Sequence, residues 1–185
     1  MASPFLYFAG DRLSVAELSA ARLDGDLVEL GDAYIPADAV ETRGLRAGSL
    51  RGTLGVTLAA THLSAAWIHG GVDEPPARHT VQRAVSRRVN HVLSRRIVYR
   101  DTNVALDDLL LIGGVWVTTP ERTLVDLARV NDDLHACAAR QMSERFPGLR
   151  AESIAWLKRS GVLPHKRPAL AFLQGLGERE SAMTT

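Results

Sequence analysis

Between Pro75 and Arg100 the chain carries Arg78, Arg83, Arg87, Arg88, Arg95, Arg96 and Arg100 and no carboxylate. Alternation and β-branched residues predict strands there, at His79 to Val85, Arg87 to Val92 and Arg95 to Arg100. Because strand side chains alternate, Ile97 and Tyr99 share one face while Arg96, Val98 and Arg100 share the other. Like charges set side by side destabilise a sheet unless an anion neutralises them. An acidic partner, a phosphate backbone or the chain's own carboxylates could do so. The last are concentrated in residues 1–42, where Asp11, Glu17, Asp24, Asp26, Glu29, Asp32, Asp38 and Glu41 face only Arg12 and Arg22. A formal charge of +1 therefore hides a dipolar protein. Such asymmetry points to a polyanion or an acidic surface as partner more than to a small neutral substrate.

A chain of 185 residues can bury one ordinary core, with room for a small appendage. Its apolar and charged fractions, 46% and 23%, exclude wholesale disorder and fibrous classes. The basic residues are arginines apart from Lys158 and Lys166, which suits forked contact with phosphate or carboxylate. Cys137 stands alone, so no internal disulfide is expected and a reducing cytoplasm is the expected location. The N-terminal apolar stretch ends at Asp11 with no basic region before it, and reads as neither signal peptide nor membrane anchor.

Ser14 and Glu17 form a capping box for a helix over Ser14 to Leu23. Leu27 to Leu30 and Ala33 to Pro36 then predict a hairpin about Gly31-Asp32. One helix followed by a hairpin resembles the back half of a winged helix, so residues 1–42 read as a reduced winged-helix-like unit. Ala37 to Gly52, with Gly44, Gly48 and Gly52, reads as a connector. The apolar stretch Val56 to His69 reads as helix, re-nucleated at Thr61 and stopped by Gly70-Gly71. Gly114 to Val117 predicts a strand; Ala105 to Leu110 is open between strand and helix. Thr119-Pro120-Glu121 is a strong helix start, with a hydroxyl at the N-cap, proline at the first helical position and a carboxylate facing the dipole. Further helices are predicted over Asp133 to Arg145, Ala151 to Arg159 and Arg167 to Leu176. The fold class is thus α+β, a small mixed or antiparallel sheet packed with helices. A second unit spans 53–177, and 178–185 reads as a flexible tail.

Signatures of catalysis are missing. The sequence has no phosphate-binding glycine loop, dinucleotide fingerprint or nucleophile elbow. Asp24-Gly25-Asp26 mimics a metal-binding pair but reads as a turn, because the Gly-Ser a nucleotidyltransferase needs upstream lies downstream, at Gly48-Ser49. Lys158 and Lys166 lack the acidic neighbours of a restriction-type nuclease core. His62 and His69 have no third ligand at metal spacing, and His69 reads as a partner for carbonyls at its helix C-terminus. Cys137, among alanines, reads as inert core. Arg122, Asp126 and Arg129 share one helix face and read as an ion-pair cluster orienting the helix against the sheet. No enzyme activity, cofactor or metal is expected.

Three strings together resemble one family: Ser64 to Gly70 (SAAWIHG), Gly113 to Arg129 (GGVWVTTPERTLVDLAR) and the wing at Leu27 to Pro36. They are similar to the AbiEi antitoxins of abortive-infection, type IV toxin–antitoxin pairs, in their actinobacterial form. The resemblance implies an N-terminal winged helix that represses its own operon, an α+β antitoxin domain and a nucleotidyltransferase-type toxin as partner. This wing, however, reads Glu29-Leu30-Gly31-Asp32-Ala33-Tyr34, and acidic residues repel phosphate. DNA or toxin contact is therefore assigned to Arg83, Arg87, Arg88, Arg95, Arg96 and Arg100, with Thr119, Pro120, Arg122 and Asp126 as the structural motif. The expected function is a non-catalytic antitoxin that also acts as a promoter-binding transcriptional regulator. The alternatives are a stand-alone DNA-binding regulator or a nuclease-less relative of Vsr-type endonucleases, which share the Gly113 to Pro120 string.

Overall fold

The computed structural model describes residues 3–89 and 94–183, with 177–183 described by backbone alone. Helix α1 (Val15–Leu23) begins at the expected capping box: the Ser14 hydroxyl accepts from the Glu17 N–H while the Glu17 carboxylate accepts from the Ser14 N–H at 2.8 Å. The hairpin of β1 (Leu27–Leu30) and β2 (Ala33–Pro36) closes through the two-residue Gly31-Asp32 turn, in the register Leu30 opposite Ala33. Tyr7 joins the hairpin by two main-chain bonds to Tyr34, each 2.9 Å.

The expected connector is helical. α2 (Arg43–Ser49) is capped by the Thr42 hydroxyl, and α3 (Arg51–Leu54) follows at once. Of the glycines that suggested a loop, Gly44 and Gly48 lie against the turn at Gly113, while Gly52 has open space around it. A Cβ on Gly113 would meet the Gly44 carbonyl and lie 2.8 Å from the Gly48 nitrogen, so helix and neighbouring turn meet backbone to backbone. The restriction falls on Gly113, at φ +57°, where only glycine lets the turn reach the α2 backbone.

The main sheet has five strands in the order β5-β4-β3-β7-β6. β3 (Leu58–Ala60) lies at its centre, antiparallel to β4 (His79–Arg83) and parallel to β7 (Val115–Thr118). β5 (Ile97–Asn103) runs parallel to β4 along one edge; β6 (Leu109–Ile112) forms the other edge, after a 3₁₀ turn at Leu106–Asp108. Strand was not expected at Leu58–Ala60, which reads as the start of an apolar helix. It is buried on both sides and shows no alternation, and helix begins only at α4 (His62–His69), where re-nucleation at Thr61 was expected. The strand expected over Arg87 to Val92 is absent from its described part, 87–89, and its remainder lies outside the described residues.

α5 (Pro120–Ala128) and α6 (Asp133–Arg145) follow the sequence reading closely; α7 (Leu149–Arg159) starts earlier than expected, and α8 (Lys166–Met183) continues through most of the segment read as a tail. One sheet face, from Leu58, Ala60, Val81, Ile97, Val115 and Val117, packs against Leu30, Ala33 and Ile35 of the hairpin, Leu45 of α2 and Trp67 and Ile68 of α4. The N-terminal segment thus shares its core with the sheet. Ala66 of α4 looks the other way, into a second cluster with Leu124, Leu127, Met142, Leu157 and Leu173 of α5–α8. Among the described residues no helix is long and apolar enough to cross a membrane.

Candidate functional site

β5 is an edge strand, so among the described residues its outer side is not paired with another strand. The arginines placed there by sequence divide into two groups. Arg83 is mostly covered, 2.9 Å from Asp101, and donates to the Ser86 carbonyl at 2.6 Å. Arg78 donates to the Ile97 carbonyl at 2.9 Å. Arg96 reaches Asp32 at the hairpin tip, 2.5 Å away, and Asp32 also accepts from the Thr53 hydroxyl. The chain's own carboxylates therefore neutralise part of the run, and the acidic turn is held against the body of the protein. Arg87 and Arg95 are exposed and form no ion pair among the described residues, while Arg88, 82% exposed, stands 3.6 Å from Asp101. Arg100 belongs elsewhere.

In the sheet register Arg100 lies beside Gln82, and Gln82 beside Ala59. The β4–β5 pairing then shifts, with Arg83 opposite Asn103. A bulge of this kind re-aims side chains. Here it brings the Thr102 hydroxyl to 2.8 Å from the Gln82 amide nitrogen. Arg100, Gln82 and Thr102, together with His62 of α4, Arg122, Asp126 and Arg129 of α5 and His165 before α8, line a cavity of about 470 Å³.

Several departures from local rules coincide in this cavity. His62 (φ 51°) and His165 (φ 57°) are the non-glycine residues with left-handed backbone among the described residues, and both line it. Such strain persists only where the surroundings hold it. Gln82 is 6% exposed, and its Oε1 has no hydrogen-bond partner among the described residues. His62, whose Nδ1 lies 2.9 Å from the Thr61 hydroxyl, is pushed down to about 4 by burial, with Arg100, His135 and Arg129 adding to that effect and Asp126 opposing it. It is a neutral hydrogen-bonding imidazole at neutral pH. Thr61, the N-cap of α4, spends its hydroxyl on His62 and the Thr80 carbonyl and leaves the helix end without a side-chain cap.

The Arg122, Asp126 and Arg129 cluster is brought together as expected. Asp126 is fully buried and holds both arginines, Arg122 Nε at 3.0 Å and Arg129 Nη1 at 2.9 Å. Sequence reasoning missed two members of the network. Asp108 takes Arg122 at 2.7 Å and the Trp156 indole N–H at 2.8 Å, and the Arg122 guanidinium lies 5.1 Å from the Trp156 ring centroid. Burial works against the Arg122 charge, but Asp126 and Asp108 outweigh it and raise its pKa. The Thr119 hydroxyl caps α5 by accepting from the Arg122 N–H at 3.3 Å, and Pro120 takes the first helical position.

Two other expectations are corrected. His69 does not serve its own helix end; its Nε2 lies 2.7 Å from the Thr118 carbonyl of β7. Cys137 is exposed rather than core, because α6 turns Ala138, Ala139 and Met142 inward instead. Among the described residues no group of three His, Cys, Asp or Glu is placed to hold a metal ion.

Residues 58–145, from the start of β3 to the end of α6, match the family model of the AbiEi antitoxin C-terminal domain. No curated protein matches the chain.

Proposed function

We propose that the chain, whose residues 58–145 match the AbiEi antitoxin C-terminal domain, is the antitoxin of a type IV toxin–antitoxin pair, that its toxin is of the nucleotidyltransferase type, and that it represses its own operon by binding promoter DNA without catalysing any reaction. The observation that carries the DNA reading is a set of exposed arginines, two without an ion pair among the described residues and Arg88 with only a 3.6 Å contact to Asp101. Arg87, Arg88 and Arg95 are exposed beside an open sheet edge, and arginine forks match phosphate oxygens. The hairpin is a poor candidate for the contact: its turn carries Asp32, already engaged by Arg96 and Thr53, and Glu29 stands on β1.

The experiment has two arms. Binding of a promoter fragment is followed by fluorescence anisotropy across a salt series, where each phosphate contact contributes about −0.9 to the slope of log K against log salt. Changing Arg87, Arg88 and Arg95 together to alanine should flatten that slope by up to about 3. Wild-type affinity and slope in the triple variant would remove DNA from this edge. In the second arm, a nucleotidyltransferase-type toxin sought among the neighbouring genes is expressed alone and together with this chain, which should restore the growth that the toxin arrests. Repression without rescue would favour a stand-alone regulator.

A further inference from the structure

We infer that the cavity between β4, β5, α4 and α5 binds a small phosphorylated molecule, separately from the proposed DNA contact. Arg100, Arg122 and Arg129 line it against one lining carboxylate, Asp126, whose two oxygens are already committed to Arg122 and Arg129. Asp108 balances Arg122 from outside the lining. Arg100 has no ion pair or side-chain hydrogen bond among the described residues, so its charge waits on an anion from solution.

The rest of the lining suits the remainder of such a ligand. Gln82 lines the cavity, is almost wholly buried, donates its amide nitrogen to Thr102 and has an unpartnered oxygen, which a donor could reach only with a small turn of the side chain. Leaving a buried polar atom unpaired costs about 1–3 kcal/mol, and sites that persist at this cost are commonly completed by a ligand or water. His62 is neutral and buried, able to hydrogen-bond without adding charge. A cavity of about 470 Å³ lies within the range that holds a mononucleotide-sized molecule and far exceeds a bare carboxylate. Both left-handed histidines, His62 and His165, and Gln82 at the bulge contribute to this lining.

The test uses the full chain and isothermal titration calorimetry with inorganic phosphate, adenosine monophosphate and adenosine as probes. Adenosine monophosphate should bind with a dissociation constant below about 1 mM, phosphate should compete for the same site, and adenosine should bind far more weakly. Phosphate binding as tight as that of the nucleotide would identify free phosphate as the occupant; tighter nucleotide binding would identify a phosphorylated organic molecule. Arg100 is exposed, so Arg100→Ala should fold normally and weaken either probe by about tenfold or more. Arg95→Ala, at the edge, should leave both unchanged. Thr102→Val, which removes the partner that positions Gln82, should weaken the nucleotide more than phosphate. Absence of binding by both charged probes, or binding that Arg100→Ala leaves intact, overturns the inference. So does a loss of promoter binding in Arg100→Ala in a protein that binds neither probe.

Discussion

Replacing Asp126 by alanine removes a carboxylate that is fully buried and holds two guanidinium groups, 3.0 and 2.9 Å away. Deleting one partner of a buried pair costs about 3–5 kcal/mol, because the partner's charge stays behind without compensation. Two features place this case at the low end. Arg122 keeps Asp108 at 2.7 Å, and Arg129 keeps the Pro164 carbonyl at 2.9 Å. Both arginines also retain a little solvent contact, with 11% and 18% of their side chains exposed. The expected loss is therefore about 3 kcal/mol, which for a chain of this size lowers the melting midpoint by about 6–12 °C. Asp126→Asn keeps the shape and one acceptor and should fall between alanine and wild type. The reference is Asp73→Ala, which breaks the exposed pair with Arg145 and should leave the midpoint where it was. Thermal unfolding followed by far-ultraviolet circular dichroism at neutral pH gives the comparison, repeated at high salt because only the exposed pair is screened. If Asp126→Ala and Asp73→Ala shifted the midpoint equally, a buried cluster that anchors α5 would be the wrong account.

Thr119→Ala should cost about 1 kcal/mol in urea unfolding through the lost cap of α5; a neutral result would mean that Pro120 and Glu121 start the helix unaided. Gly113→Ala should cost about 2 kcal/mol or more, since the residue sits at φ +57° with the α2 backbone against it, and a stable variant would show that α2 can retreat. His62, at about 4 in the folded protein against 6.5 ordinarily, binds fewer protons when folded, so its contribution is complete above pH 6.5 and is lost as pH falls toward 4. Between pH 7.5 and 5 that amounts to about 2 kcal/mol, with His69 and His79, also lowered by burial, acting in the same direction. His62→Asn, which tolerates left-handed backbone, should flatten the pH dependence of the urea midpoint, and an unchanged slope would refute the assignment.

What could be read in advance followed from how local the signals were. α1, the hairpin and α5 announce themselves within a few residues each, through Ser14 with Glu17, Gly31-Asp32 and Thr119-Pro120-Glu121. β3 could not be seen, since Leu58-Ala59-Ala60 is covered on both faces and runs straight into a helix start. α2 was hidden because Gly44, Gly48 and Gly52 look like a loop, and the turn at Gly113 that packs on its backbone is distant in sequence. The arginine run was visible, but its internal partners were not: Asp32 is distant in sequence, and Asp101 falls one residue past the run. The cavity was least legible of all. Its lining is gathered from His62, Gln82, Arg100, Asp126 and His165, and a shift in strand register just past Arg100 brings Thr102 to Gln82.

The position of β3 has a consequence for synthesis. It pairs on one side with β4, soon after it in the chain, and on the other with β7, which ends at Thr118. A nascent chain released before that residue carries the middle of its sheet as an open edge, which invites pairing with other chains. Long-range closure of this kind is slow compared with helix formation. The sheet can therefore be completed only after Thr118 has cleared the ribosome, and any shorter product carries a central strand that is still unsealed.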